Sequence, residues 1–181
     1  MLGYLYGTKE VGIEYHPDDG SADDELNCYT DADHGSSDHL KRNVSGSIAM
    51  WRKFLISWKS ALQRKIQLGT HGAELVALIR TIQMGLYIRR LLESLGVRIE
   101  RVNLGCDQDL VVKGVRDGSI IASDAVKYQE LPCRWIMQNC SPMEGRISLS
   151  WISTDVNVAD ILTKVFVGED SKYFRLTKLS G

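Results

Sequence analysis

A long helical pattern between residues 71 and 95 constrains the fold of this chain more than any other feature. Its apolar residues recur at helical spacing, and they are Leu75, Leu78, Ile79, Ile82 and Leu86, followed by Leu91, Leu92 and Leu95. Gly96 then ends the pattern. A helix with one apolar side has to cover another layer of structure, and the neighbouring segments predict that this layer is a β-sheet.

Short segments with strand-like alternation precede and follow the long helix. They span residues 26–31, 44–51, 54–60, 97–106 and 146–152, and the first three predict an antiparallel meander. Shorter helices are predicted from Asp107 to Arg116, from Ser123 towards Gln138 with a kink or division at Pro132, and from Asn157 to Lys164. The order β-β-β-α-β-α-α-β-α predicts an α/β domain whose five-stranded mixed sheet is flanked by helices.

Length and composition exclude several classes of protein. The 181 residues, 44% of them hydrophobic, are enough for one domain with its own core. No uncharged apolar stretch approaches the roughly 18 residues of a membrane span, and the N-terminus lacks the pattern of a secretory signal. The four cysteines show no CxxC spacing, so we expect neither a zinc site nor a disulfide framework, and an intracellular setting.

The net charge of -1 conceals two adjacent blocks of opposite sign. Nine acids and no Lys or Arg lie between Glu14 and Asp38, whereas seven bases and no acid lie between Lys41 and Lys65. A block of one sign is more often a solvated face than a site. Yet a negative cluster can hold a metal ion and a positive face can hold phosphate, so the charge pattern leaves both interpretations open.

Four carboxylates fall where predicted strands end or helices begin, or within the last helix. They are Asp31, Glu74, Asp107 and Asp160. Residues just past strand ends converge on a ligand-binding crevice in α/β sheets, and clustered carboxylates suit hard cations such as Mg²⁺. Glu74 also suits a helix N-terminus and Asp107 an N-cap, so position alone does not decide for a metal site.

Eight short motifs occur in order along nearly the whole chain. They are YLYGTKEVG (4–12), YTDAD (29–33), RNVSG (42–46), SWKS (57–60), AELVAL (73–78), LLESLG (91–96), CD (106–107) and NVADILTK (157–164). In this order and at this spacing they resemble the ribonuclease H domain at the C-terminal end of the polyprotein of copia-type LTR retrotransposons. Departures from the family pattern occur at His34, Gly72, Gln108, Asp109 and Tyr128, and none removes one of the four carboxylates.

The resemblance implies a ribonuclease H-like fold and an endonuclease that hydrolyses the RNA strand of RNA/DNA hybrids, giving 5'-phosphate and 3'-hydroxyl ends. The family's catalytic, metal-binding acids fall on Asp31, Glu74, Asp107 and Asp160. By resemblance, two Mg²⁺ ions about 4 Å apart, replaceable by Mn²⁺, would be bridged by Asp31. Glu74 and Asp107 would hold the ion nearer the leaving group, and Asp160 the ion nearer the attacking water.

The basic block would then face the phosphates of the hybrid, with Arg42, Lys59 and Arg64 as the expected contacts. Trp51 and Trp58 are expected in the core, because the bases of a duplex are not splayed out for stacking. Besides the hybrid, the implied partner is the reverse transcriptase domain of the same polyprotein. No membrane partner is expected, and the sequence does not indicate an oligomeric state.

The resemblance also divides the chain into three segments. Residues 1–20 would be the end of the reverse transcriptase connection, 21–166 the ribonuclease H domain and 167–181 the tail of the polyprotein. The expected location is the cytoplasm, within virus-like particles.

Two alternatives remain open. The first is a catalytically inactive ribonuclease H-like domain that binds nucleic acid or serves as a scaffold, and the four retained acids argue against it. The second is another nuclease of the same superfold, such as an integrase or resolvase. The SWKS and NVADILTK motifs argue against this second alternative, because the resemblance ties them to the branch linked to reverse transcriptase.

Overall fold

A computed structural model describes residues 24–33, 42–65, 67, 69–122 and 129–164, together with the single residues 6, 9, 10, 12 and 15. The described strands are β1 (Leu26–Asp33), β2 (Val44–Trp51), β3 (Phe54–Leu62), β4 (Val102–Cys106) and β5 (Ile147–Trp151). The helices are α1 (Thr70–Ser94), α2 (Asp109–Asp117) and α3 (Glu130–Cys140), and short 3₁₀ turns span Ser119–Ala122, Thr154–Val156 and Val158–Leu162.

The five strands form one mixed sheet in the order β3-β2-β1-β4-β5. Strands β1, β2 and β3 pair antiparallel, whereas β4 pairs parallel to both β1 and β5. The predicted meander and five-stranded mixed sheet are therefore confirmed. Strands β3 and β5 form the two edges of the sheet.

The main core lies between the sheet and α1, which crosses the middle strands. Leu75, Leu78 and Ile82 of α1 are buried in one cluster with Leu26 and Leu104 of the sheet. The helix approaches the sheet closely at Gly85, where an added Cβ would lie 3.0 Å from Val102 Cγ1 and 3.1 Å from Cys28 Sγ. Strand alternation therefore directs Cys28 to the α1 face and its neighbours to the opposite face.

A smaller apolar cluster covers that opposite face. Ile48, Met50 and Leu55 of the sheet pack there with Val158, and Tyr29, Ile161 and Leu162 flank them. The 3₁₀ turn Val158–Leu162 thus lies over β1 and β2. This contact positions one of the four predicted acids, because the turn carries Asp160.

Three element predictions are corrected by the structure. Strand β4 begins at Val102 rather than Val97. The carbonyl of Ile99 accepts a hydrogen bond from Arg89 Nε (2.8 Å) within the connection that precedes β4. Pro132 lies in the first turn of α3, where a missing N–H costs nothing, so it neither kinks nor divides that helix.

The third correction concerns the C-terminal helix, which is a five-residue 3₁₀ turn. Asn157 does cap it as predicted, since its side chain accepts a hydrogen bond from the Ala159 amide (3.2 Å). The predicted cap at Ser123 lies outside the described residues. Among the helices that the structure describes, none has both the length and the apolarity to cross a membrane.

Candidate active site

Asp31 and Asp107 lie side by side at the carboxyl ends of two parallel strands. The register pairs Thr30 of β1 with Cys106 of β4. The residues that follow them, Asp31 and Asp107, are therefore neighbours. Asp160 joins them from the 3₁₀ turn, and one carboxylate oxygen from each of the three lies within 4.8 Å of the others. Three of the four predicted acids therefore converge on one point.

Two features hold the turn that carries Asp160 against the sheet. Buried Asn157 donates a hydrogen bond from Nδ2 to the carbonyl of Thr30 (3.1 Å), the residue before Asp31. Gly46, which pairs with Asp31 across β1 and β2, leaves room for the turn. A Cβ at this position would lie 2.8 Å from Thr163 Cγ2 and 2.9 Å from the carbonyl oxygen of Ala159.

Gly46→Ala is expected to displace this turn, because the Ala159 backbone cannot yield as a flexible side chain would. Overpacking of this kind costs about 1–3 kcal/mol of stability. We expect the affinity for Mn²⁺, measured by calorimetric titration, to fall roughly 10–100-fold, as when a ligand loses its support. Gly69→Ala is the matched control, since its added methyl meets no heavy atom of the described residues within 4 Å. Unchanged Mn²⁺ affinity in Gly46→Ala would refute the role of Gly46.

Glu74, the fourth predicted acid, lies in the early turns of α1 and is only 8% exposed. It is not one of the three residues whose oxygens share the 4.8 Å cluster, but it is close enough to interact electrostatically with all of them. Burial, and then repulsion by Asp31 and Asp107, raise the pKa of Glu74 to about 9. Its Oε2 is buried and has no hydrogen-bond partner among the residues that the structure describes.

A buried glutamine fixes the start of α1 and hence the position of Glu74. Gln63 Nε2 donates to the carbonyl of Ala73 and to Ser45 Oγ, each at 2.9 Å. These bonds tie the helix to β2 and to the residue that follows β3. Gln63 is fully buried and Ser45 is also buried. Loss of the Gln63 side chain would therefore remove a hydrogen-bond partner of the Ser45 hydroxyl at a site that water does not reach.

The remaining electrostatics concern Asp31 and Lys164. Burial raises the pKa of Asp31 to about 6, a hydrogen bond donated by the Thr163 hydroxyl opposes the shift, and the Asp160 charge adds to it. Lys164 Nζ lies 2.8 Å from Asp160 Oδ2, although Asp160 itself is 0% exposed. Partial burial lowers the pKa of Lys164, but the bond to Asp160 and the nearby acids raise it overall.

This arrangement fits a hard divalent cation. The donor set consists of carboxylate oxygens, the type that Mg²⁺ and Mn²⁺ prefer. Glu74 contributes a buried oxygen without a hydrogen-bond partner in the described part of the chain. Because four buried or half-buried acids repel one another, a bound cation would stabilise their charged forms.

The residues that are predicted to contact phosphate lie at the same end of the sheet as Asp31. Strand β2 begins and β3 ends there, which places half-buried Arg42 and exposed Arg64 just beyond the paired residues Val44 and Leu62. Lys59 is exposed and pairs with Ser47. Because the Ser47 hydroxyl contacts Thr81 of α1 (2.7 Å), Lys59 points to the α1 side of the sheet rather than to the side of the 3₁₀ turn.

The expectation that both tryptophans lie in the core is wrong for Trp58, which is 55% exposed. Trp58 lies on β3, an edge strand, and in the part of the chain that the structure describes one side of β3 has no neighbouring strand. Trp51 is half-buried and packs against the main core.

Two residues that contact the acids were not predicted from the sequence. Thr163, whose hydroxyl donates to Asp31 Oδ2, lies within the NVADILTK motif, and its spacing of three from Asp160 was the available signal. Trp151 ends β5, and its indole Nε1 donates to the Asp107 carbonyl (3.1 Å). No motif marked Trp151.

The departure at Gly72 has a structural reason. Gln129 Nε2 donates to Gln67 Oε1 (2.9 Å), and a Cβ at Gly72 would lie 3.1 Å from that oxygen and 3.3 Å from that nitrogen. The amide pair therefore occupies the space that a side chain would need. Tyr128 and His34, two other departures, lie outside the described residues.

Comparison with known proteins places the chain among ribonuclease H folds. Three solved structures are similar: LC11-RNase H1, isolated from compost by a metagenomic approach, the same protein in complex with an RNA/DNA hybrid, and the N-terminal RNase H domain of a Mycobacterium tuberculosis protein. Their TM-scores are 0.57, 0.56 and 0.52, with 19%, 18% and 11% sequence identity. The similarity covers 78%, 77% and 86% of this chain and 94%, 94% and 98% of theirs. The fold is therefore that of ribonuclease H, as predicted.

At the level of sequence, the chain is similar to the retrovirus-related Pol polyprotein from transposon TNT 1-94 of Nicotiana tabacum. The identity is 28% over 165 residues, which are 91% of this chain but 12% of the polyprotein. The chain thus spans about one-eighth of the length of that relative. No protein-family model matches the chain. The predicted resemblance to the ribonuclease H domain of a retrotransposon polyprotein is confirmed, whereas the copia type stays a prediction.

Proposed function

We propose that this chain is a metal-dependent ribonuclease H that hydrolyses the RNA strand of RNA/DNA hybrids. The observation that carries the proposal is the approach of carboxylate oxygens of Asp31, Asp107 and Asp160 to within 4.8 Å, at the carboxyl ends of β1 and β4 in a ribonuclease H fold. Function is inferred from this site rather than from the fold alone. A similar fold has been solved in complex with an RNA/DNA hybrid, which supports the substrate class.

The four acids, Asp31, Glu74, Asp107 and Asp160, would hold two divalent cations, Mg²⁺ or Mn²⁺. When bound, the cations would activate a water molecule and stabilise the leaving 3' oxygen, and the cleaved RNA would carry a 5'-phosphate. The chain itself positions these ligands. Thr163 orients Asp31, Asn157 and Gly46 hold the turn of Asp160 on the sheet, and Gln63 fixes the helix that bears Glu74.

The basic side chains at the same end of the sheet would bind the phosphates of the hybrid. Arg42 and Arg64 are the best placed, and Lys59 would reach from the α1 side of the edge strand. Phosphate contacts give affinity without sequence preference, whereas 2'-hydroxyl contacts distinguish RNA from DNA. We therefore expect cleavage that depends on the hybrid and on salt, and depends little on base sequence.

The similarity to a Pol polyprotein supports a role in reverse transcription of a retrotransposon, next to a reverse transcriptase domain. In that setting residues 21–166 would form the nuclease domain. The nuclease would then remove RNA from the hybrid that the polymerase has made. The polymerase would also contribute to binding of the hybrid.

The experiment compares a labelled RNA/DNA hybrid with duplex RNA and duplex DNA of the same sequence, in Mg²⁺, in Mn²⁺ and in a chelator. We expect metal-dependent cleavage of the RNA strand of the hybrid alone, and its loss in Asp107→Asn. Binding of the hybrid without any cleavage would favour the inactive binding domain. Equal cleavage by Asp107→Asn would refute the proposed site.

A further inference from the structure

We propose that Trp151 is a substrate-contacting residue whose indole packs against the sugars of the hybrid beside the reacting phosphate. This inference rests on the proposed ribonuclease H function. It assigns to the site a residue that carries no charge and binds no metal.

Trp151 lies beside Asp107, one of the three acids of the carboxylate cluster. It is the last residue of β5 and pairs with Cys106 of β4, the residue immediately before Asp107. Its indole Nε1 donates to the main-chain carbonyl of Asp107 at 3.1 Å. The side chain is therefore bonded to the backbone of a proposed catalytic residue.

Exposure shows that this tryptophan is not a core residue. Trp151 is 53% exposed, whereas Ile147 and Leu149, which precede it on the same side of β5, are buried in the main core. A large apolar surface that faces water while its orientation is fixed by a hydrogen bond loses little entropy when a partner covers it. Such side chains are frequent anchors at binding surfaces.

The hydrogen bond also determines what Trp151 can recognise. Because the indole N–H is already donated to Asp107, only the apolar ring faces and edge remain for a ligand. The bases of a duplex stay stacked, so a stacking contact is not available. The wide, shallow minor groove beside the RNA strand exposes sugars, and their C–H faces match an apolar ring.

The test measures hybrid affinity and metal affinity separately. Binding of a fluorescent RNA/DNA hybrid is measured by anisotropy in an Asp31→Asn background, which blocks cleavage, and Mn²⁺ affinity is measured by calorimetry in the otherwise unaltered chain. We expect Trp151→Ala to weaken hybrid binding about tenfold, a typical effect of truncating an aromatic anchor at a binding surface. The Mn²⁺ affinity should change less than twofold.

Trp151→Phe distinguishes the contribution of the apolar ring to hybrid affinity from that of the indole hydrogen bond. It keeps most of the apolar surface and should recover at least part of the lost affinity. The control is Tyr87→Ala, which removes an exposed aromatic side chain from α1. Tyr87 lies thirteen residues after Glu74, which is roughly 20 Å along the helix. Hybrid binding should not change in this control, and thermal melting checks the folding of each variant.

Three results would overturn the inference. Unchanged hybrid binding in Trp151→Ala would show that the indole makes no contact. An equal loss in Tyr87→Ala would show a nonspecific effect. A parallel fall in Mn²⁺ affinity would show that Trp151 acts by positioning Asp107. Failure of the parent chain to bind the hybrid would instead count against the proposed function, so the two failures are distinguishable.

Discussion

Asp31→Asn is expected to abolish hydrolysis of RNA in a hybrid while leaving the fold intact. Asp31 lies beside Asp107 in the strand register, shares the 4.8 Å cluster with Asp160, and accepts a hydrogen bond from Thr163. Asparagine has nearly the same shape but supplies no negative charge. We expect a loss of more than about 100-fold, because removal of an outer-shell partner alone already costs roughly 10–100-fold.

The same substitution should make the metal-free protein more stable, because it removes one of several carboxylates that repel one another. Activity and melting temperature in chelator are therefore expected to change in opposite directions. Asp33→Asn is the matched control: Asp33 lies two residues further along β1, on the same side of the strand, and is not part of the cluster. A comparable loss of activity in Asp33→Asn, or full activity in Asp31→Asn, would contradict the assignment.

Glu74→Gln is expected to remove most of the pH dependence of stability above about pH 6 in the absence of metal. The pKa of Glu74 is raised from 4.5 to about 9 by burial and by its acidic neighbours. Between these values the folded state keeps a proton that the unfolded state has released. Stability therefore falls as the pH rises through this window, at up to about 1.4 kcal/mol per pH unit. Asp31, with its pKa raised to about 6, adds to the slope only below that pH.

Urea unfolding at pH 5, 7 and 9 in chelator measures this slope. The unaltered chain should lose stability from pH 5 to pH 9, and Glu74→Gln should lose much less. Added Mn²⁺ should restore stability most strongly at high pH, since a cation binds the charged carboxylates. Glu130→Gln is the control, an exposed glutamate in the first turn of α3. The same slope in Glu74→Gln as in the unaltered chain would contradict the burial of an ionisable Glu74.

Much of the fold followed from local patterns, because strand alternation and helical periodicity depend on neighbours in the chain. The bounds of β2 were predicted to the residue, and β1 and α1 to within two residues. The nature of the last turn was not predictable in this way, since five residues are too few for periodicity to separate a 3₁₀ turn from an α-helix.

The acids of the site were predicted from their places at element ends together with the ordered motifs, but the contacts that bring them together were not. The bond from Thr163 to Asp31 joins residues 132 apart, and the bond from Asn157 to Thr30 joins residues 127 apart. The exposure of Trp58 depends on β3 being an edge strand, which follows from strand order rather than from alternation. The roles assigned to individual acids and bases stay predictions.

The turn that carries Asp160 joins the sheet through side chains and close packing, and it adds no strand to it. A nascent chain synthesised only as far as Ile152 already contains all five strands that the structure describes, but it lacks Asn157, Asp160 and Thr163. The residues that complete the acid cluster, and the apolar residues of the same turn that cover one face of the sheet, are thus the last of these parts to be synthesised. During synthesis, the strands of the described sheet are therefore made before the turn that brings Asp160 to Asp31 and Asp107.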